Sequence, residues 1–394
     1  MLFMDICKKF MPLSFLHNCL LLVLVVLVSC STVRTKSTLN KNDVIKLAYV
    51  NQLEILFTNS FNGTMVGGLS GIDYNPVANE YYLISDDRSA INPARFYTTQ
   101  ITLTNGKLDS VTFSSVTNLL QKNGSTYPSS KQNPAQTPDP EGIRFNPNTN
   151  QLIWTSEGER IVSSTTTLLI NPAITIIDRS GKFIDTLVLP PQLQMSAAGY
   201  GPRQNGVLEG VTFSNDFKSL FVSMEEPLYQ DGPRAGLTDS NAWIRIIQYD
   251  MATQKPIAQF AYKLDAVAYT PTPANAFSVN GVPEILYLSP NKLLVIERSF
   301  SFGRLPCTIK VFIADLSTAE NIAQNQSLLA LPPVKTVAKK VLLNMDELGI
   351  YTDNIEGVTF GPTLPNGHRS LIFVSDNNFA KLQKTQLLLF EILP

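Results

Sequence analysis

From about residue 67 onward, short stretches in which apolar and polar residues alternate are separated by turns rich in Pro, Asn and Gly. That period of two belongs to strands with one face buried. Five of the stretches align: GGLSGIDYNPVANEYYLISDDR (67–88), PDPEGIRFNPNTNQLIWTSEGER (138–160), GVLEGVTFSNDFKSLFVSMEEP (206–227), the more divergent GVPEILYLSPNKLLVIERSF (281–300) and DNIEGVTFGPTLPNGHRSLIFVSDNNF (353–379). The shared pattern opens on an acidic residue, usually followed by Gly, and crosses a turn; Ser70 stands at the acidic position in the first stretch. A second apolar strand then ends in Ser plus acidic residues. With Ser70, Glu141, Glu209, Glu284 and Glu356 taken as equivalent, the steps are 71, 68, 75 and 72 residues. So regular a period signals an array of supersecondary units.

Each hairpin is followed by further strand-like segments: 95–103 and 111–119, 173–178 and 183–189, 243–249 and 256–262, 308–314 and 334–343. All are rich in β-branched or aromatic residues. Four strands per unit is the content of one propeller blade. After the fifth hairpin only 386–393 remains, whereas a spare strand, 45–57, precedes the first. Pairing the two completes the last blade and leaves no open edge. The expected fold is all-β, a propeller of five four-stranded blades. A sixth blade is the alternative if 120–138 or 191–206, read here as loops, hides strands.

The N-terminus differs in kind. Lys8 and Lys9 precede a mostly apolar stretch that ends in an uninterrupted run over 20–28, followed by Ser29-Cys30-Ser31. A positive start, a short apolar core and small residues describe an export signal, and the run is short of the ~20 residues a spanning helix needs. Leu27-Val28-Ser29-Cys30 also resembles a bacterial lipobox, in which the cysteine is lipidated. The expected organisation is a signal over 1–30 ending at Cys30, a polar tether over 31–43 and one propeller domain over 44–394. That places the protein outside the cytoplasm, lipid-anchored on the bacterial cell envelope or secreted. Only Cys307 then remains in the folded domain beyond Cys30, so no internal disulfide is expected.

Charge narrows the partners. Charged residues make up 16% of the chain and the formal net charge is -1, which supplies no basic face for nucleic acid. The few acids are placed pointedly. In an antiparallel hairpin the start of the first strand and the end of the second share an edge. Glu141, Glu209, Glu284 and Glu356 are therefore expected around one opening, with Asp86, Asp87, Glu157, Glu159, Glu225, Glu226, Glu297 and Asp376 behind them. At ~5 Å and an effective dielectric of ~20, each pair of carboxylates costs on the order of 3 kcal/mol. A hard divalent cation offsets this, and oxygen donors suit Ca²⁺ or Mg²⁺ over zinc. The competing reading makes the acids staples that accept backbone N–H groups from the neighbouring blade. Arg88, Arg160 and Arg298 follow second-strand acids, with Arg144 and Arg203 nearby. They either neutralise carboxylates or recognise an anion.

What is missing limits the chemistry. With His17 in the signal, His368 is the one histidine of the domain, which excludes a multi-histidine zinc site and histidine-phosphatase chemistry. No G-x-S-x-G elbow, phosphate-cradling Gly loop or dinucleotide fingerprint is present. Hydrolysis would rest on carboxylates, a metal and arginines.

The segments GLSGIDYNP…YYLISDD, DPEGIRFNP…IWTSEGE, LEGVTFS…LFVSMEE and NIEGVTFGP…LIFVSDNN resemble the phytase-like domain proteins, described as having esterase-like activity of phytase, over roughly residues 60–392. The resemblance implies an extracytoplasmic propeller, often a lipoprotein, with phosphoester or ester hydrolase activity. Ser70 in place of Glu and the missing Gly after Glu284 depart from the pattern. Residues and resemblance together lead to an expected Ca²⁺-dependent hydrolase of phosphate esters. Asp86, Asp87, Glu141, Glu209, Glu284, Glu356 and Asp376 would hold metal, Glu157 or Glu225 would act as general base, and Arg88, Arg160 or Arg298 would balance developing charge. The expected partner is a small phosphorylated or ester substrate met by a monomer held at the membrane through Cys30. Two alternatives stand beside it: a surface-anchored binding propeller with structural calcium, and a calcium-dependent lactonase or ester hydrolase.

Overall fold

The computed structural model describes residues 45–239 and 241–394; the expected signal with Cys30 and the tether lie outside them. Within it stand five four-stranded antiparallel sheets, the blades of a propeller. Blade 1 holds Leu69–Asn75, Glu80–Ser85, Arg95–Thr104 and Lys107–Asn118; blade 2 holds Pro140–Asn146, Gln151–Ser156, Ala173–Asp178 and Phe183–Thr186. Blade 3 holds Leu208–Phe213, Ser219–Met224, Trp243–Asp250 and Lys255–Lys263. Blade 4 holds Ser278–Ser289, Lys292–Ser301, Thr308–Asp315 and Ala338–Asn344. Blade 5 takes Asn354–Phe360, Arg369–Asp376 and Thr385–Leu393 from the C-terminus, and its outer strand, Lys46–Ile55, from the other end of the described chain. That strand pairs antiparallel from Lys46↔Leu393 to Ile55↔Thr385. The ring closes as the strand count requires, and 120–138 and 191–206 contribute no blade strand.

The repeat has a packing reason. Ile72, Ile143, Val211, Ile285 and Val358, one per inner strand, have no exposed surface and form the wedge between blades. The preceding glycines mark the closest approach of neighbouring inner strands. A Cβ on Gly142 would lie 2.6 Å from the Glu209 carbonyl oxygen, and one on Gly71 2.7 Å from that of Glu141. The acid-Gly pair thus combines a side chain for the mouth with a backbone that lets blades touch.

Register corrects one expectation. Asp73 Oδ2 accepts from Phe145 N–H at 2.7 Å, and Thr212 Oγ1 accepts from Tyr287 N–H at 2.9 Å, the same bond between successive blades. Tyr287 therefore matches Phe145, and Glu284 occupies the position of Gly142 rather than that of Glu141. A one-residue slip along a strand sends the side chain to the other face. Glu284 meets Arg144 at 2.7 Å and accepts from the backbone N–H of Val211 and Ile285. Burial lifts its pKa to about 7 even with Arg144 beside it. Arg144 donates to the carbonyls of Ile72, Ile143, Ile285 and Val358, so one guanidinium ties together four of the five inner strands.

Beyond Arg144, Tyr74, Phe145, Phe213, Tyr287 and Phe360, one from each inner strand, surround a cavity of about 300 Å³ at the far ends of those strands, with Phe217 added from the blade 3 turn. Two short hairpins escape the repeat: Ser60–Phe61 with Thr64–Met65, and Glu159–Val162 with Thr167–Ile170. Cys307, the one cysteine among the described residues, is a free buried thiol.

Candidate functional site

At the near end of the inner strands a cleft of about 880 Å³ opens, lined by eight carboxylates and five arginines. Inner strands deliver Glu141, Glu209 and Glu356, and the turn before the second inner strand delivers Asp139. The ends of the second strands deliver Asp86, Glu157, Glu225 and Glu226. Two triads are close enough to share one ion: Asp139, Glu141 and Glu157, and then Glu157, Glu209 and Glu225, with one oxygen of each residue within 4.8 Å of the others. Glu157 belongs to both. In blade 1 the Ser70 hydroxyl donates to the Glu141 carbonyl at 2.8 Å, so among the cleft carboxylates that blade supplies Asp86.

Crowding and burial disfavour the charged form of these carboxylates. Burial first, and then neighbouring acids, hold Asp86, Glu141, Glu157 and Glu209 well above the usual carboxylate range. Asp139 is raised to about 7 by burial, with Arg88 opposing, and Glu356 to about 8 by burial and Asp376. Buried atoms without a hydrogen-bond partner lie here too: Asp86 Oδ1, Asp376 Oδ2, Arg88 Nε and Nη2, and Arg298 Nε. The all-carboxylate donor set of the triads, with unpartnered oxygens on Asp86 and Asp376 nearby, fits a hard cation.

The shifts fix a sign for stability. A carboxylate whose pKa is higher folded than unfolded stabilises the fold below its unfolded value, and that stability is lost as pH rises through the folded value. Melting temperatures measured in chelator are therefore expected to fall between about pH 5 and pH 8, the window of Asp139 and Glu356. A flat or rising profile would mean that the acids are not strained together.

The arginines divide into two kinds. Arg88 pairs with Glu159 at 2.7 Å and lies 3.6 Å from Asp139; Arg298 meets Glu225 at 2.5 Å and Glu356 at 3.5 Å. Arg234 pairs with Glu226 at 2.7 Å. Arg160 and Arg203 instead donate to carbonyls, Arg160 to Ser196 and Ala197, Arg203 to Pro227 and Gly232. Both guanidiniums lie against the Tyr229 ring, 4.8 and 4.3 Å from its centre. Burial holds Arg203 below the usual arginine range, and Arg234 and Arg160 add to this against Tyr229. Carbonyls and an aromatic ring thus hold two like charges together on one wall of the cleft.

A family model described as phytase-like, esterase-like activity of phytase, matches residues 64–379. The chain belongs to the phytase-like family. No curated protein matches it. Among solved structures the phytase-like propeller is similar to an endo-arabinase from Bacteroides thetaiotaomicron (9% identity, TM-score 0.41, covering 84% of this chain and 95% of that one). It is also similar to an α-L-arabinofuranosidase from Lactobacillus brevis (10%, TM-score 0.44, 85% and 94%) and a gluconolactonase from Xanthomonas campestris (9%, TM-score 0.37, 89% and 95%). At such values these likenesses carry nothing about activity.

In the phytase-like propeller the expected ligands Asp86, Glu141, Glu209 and Glu356 come to one cleft, as do Glu157, Glu225, Arg88, Arg160 and Arg298. Asp376 lies fully buried beside Glu356 and Asp86, its Oδ1 accepting from Asn378 N–H at 2.8 Å. Two expected ligands are placed elsewhere. Glu284 is spent on Arg144. Asp87 caps its own loop, accepting from the N–H groups of Ala90, Ile91 and Asn92 and from Arg95 at 2.8 Å. Glu297 is likewise satisfied within blade 4, by Tyr262, Asn280 and Lys339. Asp139, Tyr229 and Arg234 join the cleft beyond the residues expected from sequence. Asp139, two residues before Glu141 in PDPEG, carried a visible signal; the other two sit in a loop outside the repeat.

Proposed function

We propose that the phytase-like propeller is an exported, calcium-dependent hydrolase of phosphate esters acting at this mouth. The observation that carries the reading is the pair of carboxylate triads sharing Glu157, beside two arginines, Arg160 and Arg203, that have no acidic partner among the described residues. The triads supply oxygen ligands for Ca²⁺ or a similar hard cation, chiefly from Asp139, Glu141, Glu157 and Glu209. When bound, the cation supplies the positive charge that offsets these acids and polarises a phosphoryl group. Arg160 and Arg203 hold phosphate oxygens and orient the ester. Glu157, claimed by both triads, serves first as a ligand, and Glu225 is left to take the proton of the attacking water. Arg298, within reach of Glu225 and Glu356, balances charge that develops as the bond breaks. Export and lipidation at Cys30 fit this reading, because calcium is abundant outside the cell.

The test is phosphate release from a panel of esters with calcium or with chelator. Calcium-dependent release is expected, and Arg160→Ala with Arg203→Ala should raise KM by about tenfold or more. Cleavage of lactones but not phosphate esters would move the assignment to an ester hydrolase. Stabilisation by calcium without turnover of either class would leave a binding propeller.

A further inference from the structure

We infer that the organic part of the ester is apolar, an alkyl or aryl group; this rests on the phosphoester reading and narrows its substrate class. The inner hairpin of blade 4, Ser278–Ser289 with Lys292–Ser301, has strands of 12 and 10 residues. Its counterparts in blades 2 and 3 have 7 and 6 and 6 and 6. Most of the extra length lies at the cleft end. The pair Gly281↔Arg298 stands near the level where Leu208↔Met224 opens blade 3, and Asn280↔Ser299, Val279↔Phe300 and Ser278↔Ser301 continue beyond it. The extension is part of the sheet, and Phe302 N–H donates to the Phe277 carbonyl at 3.0 Å to fasten its tip.

This projection carries an apolar wall. Phe277, Val279, Phe300 and Leu305 line the same cleft as the triads and the arginines. Phe277 is 56% exposed and Leu305 72%, and the rings of Phe277 and Phe300 are 6.1 Å apart. Arg160, Arg203 and Tyr229 belong to the segments of blades 2 and 3, so this arginine pair and the apolar wall come from different blades around one opening. A polyol phosphate would leave the blade 4 wall facing water. An alkyl or aryl phosphate places its anion on the arginines and metal ligands and covers the wall with its tail, removing apolar surface from water.

The experiment compares ethyl, butyl, hexyl and octyl phosphate with inositol hexakisphosphate, at fixed calcium and below micelle-forming concentrations. A buried methylene is worth up to about fourfold, and kcat/KM is expected to rise by on the order of 30-fold or more from ethyl to octyl phosphate. Phe277→Ser with Leu305→Ser should collapse the octyl-to-ethyl ratio toward unity, and Leu305→Ser alone, at the more exposed site, should lower it in part. A flat series, or preference for inositol hexakisphosphate, overturns the inference while leaving phosphate-ester hydrolysis in place. Absence of turnover on every ester overturns the hydrolase reading instead. The wall is then read by calorimetric binding of octyl against ethyl phosphate, where equal affinities would end the inference.

Discussion

Glu157→Gln is expected to remove the calcium response of the protein and to lower calcium-dependent phosphate release on the order of 100-fold or more. Glu157 is the residue the two triads share, so one substitution touches both. The side chain keeps its shape, and its carbonyl oxygen can still accept from Val207 N–H, as Glu157 Oε1 does; folding should survive. The sign of the effect on the metal-free protein is opposite. Removing one carboxylate from a crowd that burial and repulsion already push toward protonation should raise the melting temperature in chelator near pH 8. Loss of calcium response together with a more stable metal-free form cannot be mistaken for general damage. A variant that answers calcium like the parent would show that the triads are not where the ion binds.

Arg144→Met should destabilise the fold by about 3–5 kcal/mol, the cost of breaking a buried ion pair from one side. Glu284 would be left 1% exposed without its partner, and carbonyls of four inner strands would lose a donor. For a domain of this length the drop is about 5 °C in melting temperature. Adding Glu284→Gln removes the stranded charge and should recover part of the loss. Neither residue lines the near cleft, so the calcium response of the double variant should match that of the parent. Thermal melts of the three proteins with and without calcium check both statements. A single variant as stable as the parent would mean that the hub residue is dispensable.

How far the sequence reaches depends on what each residue type is asked to do. The blades were legible because one hydrophobic pattern recurs with nearly constant spacing, and the closure because strand counting left one segment over at each end. The mouth was legible wherever an acid is followed by Gly, since the Gly is forced by blade contact and fixes the register. Where Gly is absent, the acid is the one visible marker, and it misplaces the register by one residue. The buried aliphatic series ending in Ile285 and Val358 would have placed Glu284 one position later. Asp86 and Asp87 show the same limit: adjacent residues at a strand end point different ways, one into the cleft and one to Arg95. Arg160 and Arg203 differ from Arg88 and Arg298 only through Tyr229 and the carbonyls around them, which are distant in sequence and brought together by loops. The extension of blade 4 is a matter of strand length, which alternation alone does not delimit.

Cation binding by the shared carboxylates is tested most directly by a calcium titration of the metal-free protein at about pH 8, read as melting temperature. Binding at a thousandfold excess over the dissociation constant stabilises by about 4 kcal/mol, or about 5 °C here. The expected result is a saturable rise of that order, reversed by chelator and absent in Glu157→Gln. A melting temperature that calcium leaves unmoved would contradict it.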